Sequence, residues 1–264
     1  MPALPRQWGI LLSTAAVSAL LLMATAQPEL QRTTHVSVRG HELAIRLYGN
    51  PGTRSPLVVS SGDGGWVHLA PHVAEFLSGK GFYVVGFDSK EYLSSFTSGK
   101  TVVRQEDEPA DYRVLVDFAA RGSQRKPLLI GVSEGAGLSV LAATDPETKR
   151  AIGGVIGLGL PDMNELGWHW KDALIYVTHA APKEPMFSAA AVIGNVAPLP
   201  LAAIHSTNDE FVPLDEVNKV FAAARQPKKL WVIKASNHRF SDNLDEFDRR
   251  LLEAIDWVEQ SQPQ

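Results

Sequence analysis

The hydrophobic positions beyond residue 30 follow two patterns. In HVSVRG (35–40) and ELAIRLYG (42–49), apolar and polar residues alternate, which predicts an antiparallel hairpin with one wet face and a turn at Gly40-His41. The later segments are short, continuous apolar runs instead: PLVVSS, FYVVGF, PLLIGV, IGGVIGLG, LAAIHS and KLWVIK. Runs of this kind are typical of strands that are covered on both faces.

Helical patterns separate these apolar runs. They cover residues 72–80, 111–120, 135–143, 214–224 and 244–258. Strands that alternate with helices imply right-handed crossovers between parallel strands. The sequence therefore predicts an α/β fold, a three-layer sandwich around a mostly parallel sheet, with the antiparallel hairpin at one edge.

The stretch from 161 to 200 breaks this alternation. It carries Trp168, Trp170 and Tyr176, and only its ALIYVT segment (173–178) has the pattern of a further strand. Because the stretch lies between two core strands, it is either a lid that faces the substrate or a structural cover over the edge of the sheet. On the first alternative, Trp168 and Trp170 are candidate substrate-binding residues.

The first 26 residues have the pattern of a signal peptide. Arg6 precedes an apolar run from 10 to 23, and an A-T-A cleavage pattern follows at 24–26. The run is shorter than the roughly 20 apolar residues of a membrane-spanning helix, and an uncleaved anchor is the alternative. We expect cleavage after Ala26 and export to the periplasm. The chain contains no cysteine, so its folding there would need no disulfide.

Composition and charge narrow the class of protein. The 264 residues are 45% hydrophobic and 20% charged, as in ordinary folded proteins, and residues 27–264 suit a single α/β domain. The formal net charge is −4, and it becomes −5 without residues 1–26, because Arg6 is the one charged residue there. The sequence has no basic stripe, so we expect neither nucleic acid nor a polybasic contact with membranes.

A serine on a tight corner is the first candidate for chemistry. The stretch LLIGVSEGAG (128–137) begins as a buried strand and ends as the first turn of a helix. Ser133 is either a cap of that helix or the nucleophile of a G-x-S-x-G elbow at the carboxyl end of the strand. The second interpretation needs a histidine and a carboxylate from later loops, because a serine hydroxyl is a weak nucleophile without a base.

The later loops supply both partners. Asp209 follows the LAAIHS strand, and His238 follows the KLWVIK strand. The carboxyl ends of parallel strands face one crevice, and the order Ser133, Asp209, His238 is that of the α/β-hydrolase triad. This joint placement predicts an α/β-hydrolase-like fold and a serine hydrolase. His238 would be the general base, and Asp209 would orient its ring.

Other acidic residues and histidines compete for these roles. Glu210 is one residue late, and Asp215 falls in the first turn of the next helix, where a carboxylate meets the helix dipole favourably. His205 lies inside its strand and is expected to be a core residue.

His68 and His72 are spaced like metal ligands on one helix face. However, Pro71 between them suits a helix start, so the two histidines are not expected to share a regular turn. The chain has no H-E-x-x-H motif and no cysteine pair. We therefore expect neither a metal nor another cofactor.

Acyl transfer also needs two backbone N–H groups to stabilise the oxyanion. One is that of Glu134, the residue after the nucleophile. The other would come from the SGDGGW loop (61–66), where glycines let the backbone approach a ligand, and the donor is Asp63 or Gly64. The alternative is a glycine-rich turn that only leads into the next helix. Trp66 either lines the crevice or packs beneath that helix.

Taken together, these motifs resemble the VirJ/AcvB family of bacterial virulence proteins. The resemblance rests on SGDGGW, on GFDSKEYL after the next strand, on the elbow IGVSEGAG and on NHRF near the C-terminus. It covers nearly the whole mature chain and implies an exported α/β-hydrolase-type protein. The elbow departs from the family pattern, because Glu134 and Gly137 stand where that pattern has an aromatic residue and an acid.

The resemblance implies two classes of function. Family members characterised as enzymes hydrolyse aminoacylated phosphatidylglycerol and release lysine in the periplasm, which implies an ester substrate at the membrane surface. Short members are linked to type IV secretion, which implies a binding or chaperone role with secretion-system proteins. The predicted triad favours the enzyme, since a pure binder has no physical need for it.

Acidic residues around the predicted crevice have two interpretations. Glu134, Asp63 and Asp242 either receive a cationic group such as the lysyl head of the substrate, or each caps a helix or loop and points away. On the first interpretation, the Glu134 side chain reaches the rim of the crevice and binds substrate.

Overall fold

A computed structural model describes residues 31–98, 101–169 and 184–263. The predicted signal peptide (1–26), Trp170 and the ALIYVT segment lie outside these described residues. None of the helices in the described ranges combines the length and the hydrophobicity that a membrane span requires.

The strands of the described residues form one large sheet and one small one. They are β1 (Arg32–Val38), β2 (His41–Tyr48), β3 (Leu57–Ser60), β4 (Val84–Phe87), β5 (Leu128–Val132), β6 (Gly154–Leu158), β7 (Met163–Glu165), β8 (Met186–Ser188), β9 (Leu201–Ser206) and β10 (Lys228–Ile233). The large sheet has the order β1-β2-β4-β3-β5-β6-β9-β10, and β7 pairs with β8 alone.

Helices cover both faces of the large sheet. They are α1 (Leu69–Gly79), α2 (Ser89–Phe96), α3 (Glu108–Ala119), α4 (Glu134–Ala142), α5 (Pro146–Ala151), α6 (Ala189–Val192), α7 (Leu214–Ala223) and α8 (Leu244–Gln260). Buried side chains of α1 and α8 pack in one hydrophobic cluster, and those of α2, α3 and α4 pack in the other. The result is a three-layer sandwich.

The predicted topology is confirmed. β1, β2 and β4 pair antiparallel, and every other neighbouring pair of the large sheet is parallel. The hairpin turn lies at Arg39 and Gly40, one residue earlier than predicted. Both residues have positive φ, 48° and 86°, as a two-residue hairpin turn that follows the strand twist requires.

One strand is less covered than its sequence predicts. All residues of β3, β5, β6 and β9 are buried, but β10 alternates, and Val232 is 45% exposed. β10 is the edge strand of the sheet, so the expectation of cover on both faces was wrong there. A continuous apolar run does not reveal which strand will lie at an edge.

Two helices, α2 and α5, were not predicted because their sequences are mostly polar. In α2 (SKEYLSSF), the Asp88 carboxylate accepts the N–H of Glu91 at 3.2 Å and so caps the helix start. In α5 (PETKRA), Asp145 caps the N–H groups of Glu147 and Thr148, each at 2.9 Å. Neither segment has enough apolar positions for a clear helical period.

The described parts of the 161–200 insertion pack against α4. Leu166 and Phe187 join the hydrophobic cluster that contains Ala136. The Asp162 carboxylate accepts the Ser188 hydroxyl at 2.6 Å and the N–H of Ala190 at 2.9 Å, which holds the start of α6 against β7. These parts form a cover, and motion as a lid stays a prediction.

The corner between β5 and α4 leaves no room for a side chain at Gly131. A Cβ there would lie 2.1 Å from the Gly135 carbonyl oxygen, whereas at Gly157, its partner on β6, the nearest atom would be 3.4 Å away. We expect Gly131→Ala to lower the free energy of unfolding by about 3 kcal/mol or more, and the control Gly157→Ala to cost far less. Urea unfolding measures both, and equal losses would contradict the packing argument.

Candidate active site

The backbone at Ser133 has the conformation of an elbow. Its φ is 52° and its ψ is −118°, between the last residue of β5 and the first of α4. A residue other than glycine pays of order 1–3 kcal/mol for such angles. The Ser133 N–H donates to the Leu158 carbonyl at 2.8 Å, and its side chain forms no capping hydrogen bond. Of the two predicted alternatives for Ser133, a cap of the helix is therefore not the one found.

Asp209 and His238 meet at the same end of the sheet. His238 Nδ1 lies 2.6 Å from Asp209 Oδ2, and both residues are 8% exposed. The other carboxylate oxygen accepts the N–H groups of Phe211 at 3.0 Å and Val212 at 2.8 Å. These bonds fix the direction of the carboxylate and, through it, the plane of the imidazole.

The same contacts decide the charge of Asp209. Burial opposes ionisation, but the hydrogen bond and charge of His238 and the N–H groups of Val212 and Phe211 outweigh it, so the pKa of Asp209 lies below its usual value. The carboxylate is thus ionised at neutral pH. It can stabilise the imidazolium that forms when His238 takes a proton.

A crevice of about 140 Å³ brings Ser133 and His238 together. It is lined by Gly62, Asp63, Gly64, Gly65, Val67, His68, Leu69, Val132, Ser133, Phe211, His238 and Arg239. Both residues lie in the part of the chain that the structure describes, and no direct hydrogen bond joins the Ser133 hydroxyl to the His238 ring. Such bonds are often loose in hydrolases without substrate and tighten in the complex.

Two further residues hold His238 in place. Gly159 has a φ of 62°, and a Cβ there would come within 2.5 Å of His238 Cε1, so only glycine admits the ring at this point. On another side, the Phe211 ring packs edge-on at 5.6 Å between centroids. Neither residue was predicted from the sequence. Their only trace in the sequence is a glycine after β6 and an aromatic residue two positions after Asp209.

The predicted oxyanion loop lies beside Ser133. Asp63 and Gly64 line the crevice, and a Cβ on Gly62 would be 3.3 Å from Ser133 Cβ. Asp88 holds this loop from behind, because its carboxylate accepts the Trp66 N–H at 3.0 Å. The position suits a donor for an oxyanion on Ser133, from either Asp63 or Gly64.

The Glu134 side chain does not reach the crevice rim. It is buried, and its Oε1 accepts the N–H of Glu165 in β7 at 2.8 Å. Burial, with the charges of Glu165 and Asp63 nearby, raises the pKa of Glu134 well above its usual value. The prediction of a substrate-binding carboxylate was wrong here, because the elbow turns the side chain inward. Glu134 stays a candidate through its N–H alone.

Two of the three tryptophans predicted to bind substrate, Trp66 and Trp168, fall in the described residues, and neither lines the crevice. The Trp66 ring packs against Gly86 of β4, where a Cβ would come within 2.4 Å, and its Nε1 donates to Tyr48 Oη at 3.2 Å. Of its two predicted alternatives, packing is the one found. Trp168 lies against α2, where the Lys90 ammonium is 4.3 Å from its ring centroid. Its assignment to substrate binding was wrong for the crevice described here.

The rival acids have other partners. Glu210 accepts the backbone N–H of His238 at 2.7 Å, so it supports the histidine loop, while the ring Nδ1 is paired with Asp209. Asp215 lies in the first turn of α7, as predicted. Asp242 accepts the Ser236 N–H at 2.9 Å and is absent from the crevice lining. Asp63 is the carboxylate that does line it.

The rival histidines are equally explained. His205 is buried with Nε2 2.9 Å from the Val212 carbonyl, and burial lowers its pKa. His72 pairs with Asp248 at 2.7 Å, while His68 precedes α1 with a φ of 57° and a ψ of −111° and lines the crevice. Across the described residues, no group of three histidine or carboxylate side chains could hold a metal ion.

The fold and this arrangement define the class to which the chain is similar, the α/β hydrolases. The α/β hydrolase GrgF from Penicillium sp. sh18 is 12% identical, with a TM-score of 0.65, over 88% of this chain and 99% of that one. An esterase from Pyrococcus furiosus is 18% identical with a TM-score of 0.65, over 86% and 90%. The esterase domain of a Rhodothermus marinus protein is 20% identical with a TM-score of 0.59, over 88% and 99%.

A comparison with protein-family models gives a more specific similarity than the fold does. The model of the VirJ family, described as a bacterial virulence protein, matches residues 56–166. The resemblance predicted from the motifs is confirmed over these residues, which include the glycine-rich loop and the elbow but not Asp209 or His238. No curated protein matches the sequence.

Ionised Asp209 makes a testable contribution to stability. Its pKa in the folded state lies below the usual 3.8, so this contribution is fully present above pH 3.8 and is lost as the pH falls through the folded-state value. We expect the unfolding free energy of the parent, minus that of Asp209→Asn, to shrink as the pH falls from about 4 to about 2. Urea unfolding across this range measures the difference. A constant difference would contradict the assigned charge.

Proposed function

We propose that the protein is a serine hydrolase that cleaves carboxylic esters. The observation that carries this proposal is the 2.6 Å contact between His238 Nδ1 and Asp209 Oδ2, in a crevice that also exposes Ser133. A buried acid that orients a histidine beside a strained serine has a direct use in nucleophilic catalysis. The alternative, a binding protein on this fold, gives none of these three residues a task.

The acylation step follows from the positions of the three residues. Ser133 Oγ attacks the ester carbonyl while His238 Nε2 takes its proton, and the imidazolium formed faces the Asp209 carboxylate. The N–H of Glu134 and an N–H of the Asp63–Gly64 loop stabilise the oxyanion. His238 then protonates the alcohol as the carbon–oxygen bond breaks, leaving an acyl group on Ser133.

Hydrolysis of the acyl group repeats the sequence with water. His238 removes a proton from the water as it attacks the acyl carbonyl, and it returns the proton to Ser133 Oγ when the acid leaves. The same oxyanion donors act twice, so no further group is needed. Turnover therefore depends on the imidazole keeping one orientation through both steps.

The substrate we favour within this class is a lysyl ester of a phospholipid. The VirJ resemblance supports this choice, and Asp63 in the crevice lining gives the lysyl cation a partner. Glu134 and Asp242 drop out of this role because neither residue is among those that line the crevice. Recognition of the cation would rest on Asp63.

The proposed nucleophile can be tested by covalent labelling. We expect a fluorophosphonate probe to label the parent and not Ser133→Ala, and ester turnover to fall by roughly 10⁴-fold or more in that variant. Ser139→Ala is the matched control, since this serine lies in α4 with its hydroxyl on the Gly135 carbonyl at 2.7 Å. Labelling of Ser133→Ala at the parent level would overturn the proposal.

The lysyl preference can be tested with two esters of one alcohol, one lysyl and one uncharged. We expect Asp63→Asn to reduce the ratio of their kcat/KM values by about 5- to 150-fold, from the usual strength of charged hydrogen bonds. Glu134→Gln should leave the ratio unchanged, because its carboxyl is buried. A ratio that is the same in Asp63→Asn and the parent rules out recognition by Asp63.

A further inference from the structure

A second cavity lies at the opposite end of the sheet from Ser133. It measures about 560 Å³ and is formed where the chain enters β5 and β6. Residues 124–126 precede β5, and residues 149–153 precede β6, so the cavity opens at the amino ends of these strands. Ser133 follows the carboxyl end of β5, and the five residues of β5 span about 17 Å. The cavity is therefore separate from the crevice.

The charged lining of this cavity is entirely basic. Its charged residues are Arg125, Lys126, Lys149 and Arg150, and no carboxylate is among the lining residues. The loop before β5 and the last turn of α5, which are 23 or more positions apart in the sequence, bring these cations together. Neither segment alone forms a basic stripe, which is why a net charge of −4 gave no indication of the cluster.

Most of this positive charge is not neutralised within the protein. Arg125 and Lys126 are exposed, and neither side chain forms an ion pair with any of the described residues. Lys149 Nζ donates to the carbonyl oxygens of Asn195 and Ala197, which hold the ammonium without cancelling its charge. Arg150 is paired with Glu147.

The Lys149 ammonium is partly buried, and two backbone carbonyl groups fix its position. Burial lowers the pKa of Lys149, partly opposed by the charge of Asp145. Two carbonyl oxygens use two of the three ammonium hydrogens, and a third remains for a ligand. A partly buried ammonium gains most from an anion that arrives with its own negative charge.

We propose that this cavity binds the phosphate group of an organic phosphate ester, through Arg125, Lys126 and Lys149. Guanidinium and ammonium groups are the usual partners of phosphate oxygens, and a planar guanidinium can give two parallel hydrogen bonds. Ile152, Pro198 and Leu199 line the same cavity and provide contacts for a carbon skeleton. The volume suits a small organic ligand better than a lone inorganic ion.

The ester could reach the cavity as a soluble metabolite or as a phospholipid head group. A concave site at a strand end admits either, since both present the same phosphate chemistry. Two probes separate the sources: glycerol 3-phosphate by titration calorimetry, and sedimentation with vesicles of phosphatidylglycerol in phosphatidylcholine. Vesicles of phosphatidylcholine alone serve as the blank for the second probe.

The test compares the parent with Arg125→Gln/Lys126→Gln. We expect the parent to bind one or both probes at low ionic strength, binding to weaken as salt is added, and the double variant to lose about tenfold or more in affinity. Binding of glycerol 3-phosphate supports a soluble ester. Binding of the phosphatidylglycerol vesicles alone supports a head group.

The control variant is Arg121→Gln/Lys219→Gln, which removes the same charge from exposed positions outside the cavity lining. Both double variants should keep the urea midpoint of the parent and its turnover of a short ester, since none of the four residues touches the crevice. The proposal is overturned if neither probe binds the parent, or if the control loses as much affinity as the cavity variant. These outcomes do not depend on whether Ser133 is a nucleophile.

Discussion

The strained backbone of Ser133 is the constraint on which the rest of the site depends. A φ of 52° is unfavourable for serine, and close packing on both sides offsets the cost. Gly131 lets the strand meet the helix, and at Gly135 a Cβ would come within 2.3 Å of the Ser61 carbonyl. α4 is thereby pressed against β3, which leads into the glycine-rich loop. This close approach, together with the pairing of β3 and β5, holds Ser133 beside the proposed oxyanion donors.

The same corner decides which way its neighbours point. Because the chain reverses at Ser133, the hydroxyl faces the crevice, while the next side chain enters the interior and meets β7 through the N–H of Glu165. The insertion is thus tied to the elbow by a buried carboxyl group, that of Glu134, whose pKa burial raises well above its usual value. Its described parts act first as structural support for α4. If the Glu134 side chain instead lay at the crevice rim as a carboxylate, its negative charge would repel the developing oxyanion.

Much of the fold and the three candidate residues could be predicted because they follow from local order along the chain. Apolar runs locate the strands, and loops after successive strands must share one edge of the sheet, so Ser133, Asp209 and His238 were predicted to meet. Side-chain directions were not predictable in this way. Glu134, Trp66 and Asp242 depend on contacts with β7, β4 and the Ser236 loop, and nothing in the local sequence encodes these contacts. The position of β10 at an edge of the sheet was not predictable for the same reason, since it depends on which strands pair and not on the sequence of β10 itself.

The distribution of charge over the surface is also something that the sequence alone did not predict. A net charge of −4 describes the average surface, whereas binding responds to the local potential within roughly a Debye length of about 8–10 Å. At the amino ends of β5 and β6, cations from a loop and from α5 lie around one cavity. At the carboxyl end of β5 lie a serine, a histidine and an ionised aspartate. The central strands therefore separate two chemically different sites, and a ligand at the basic one would leave the crevice free for an ester.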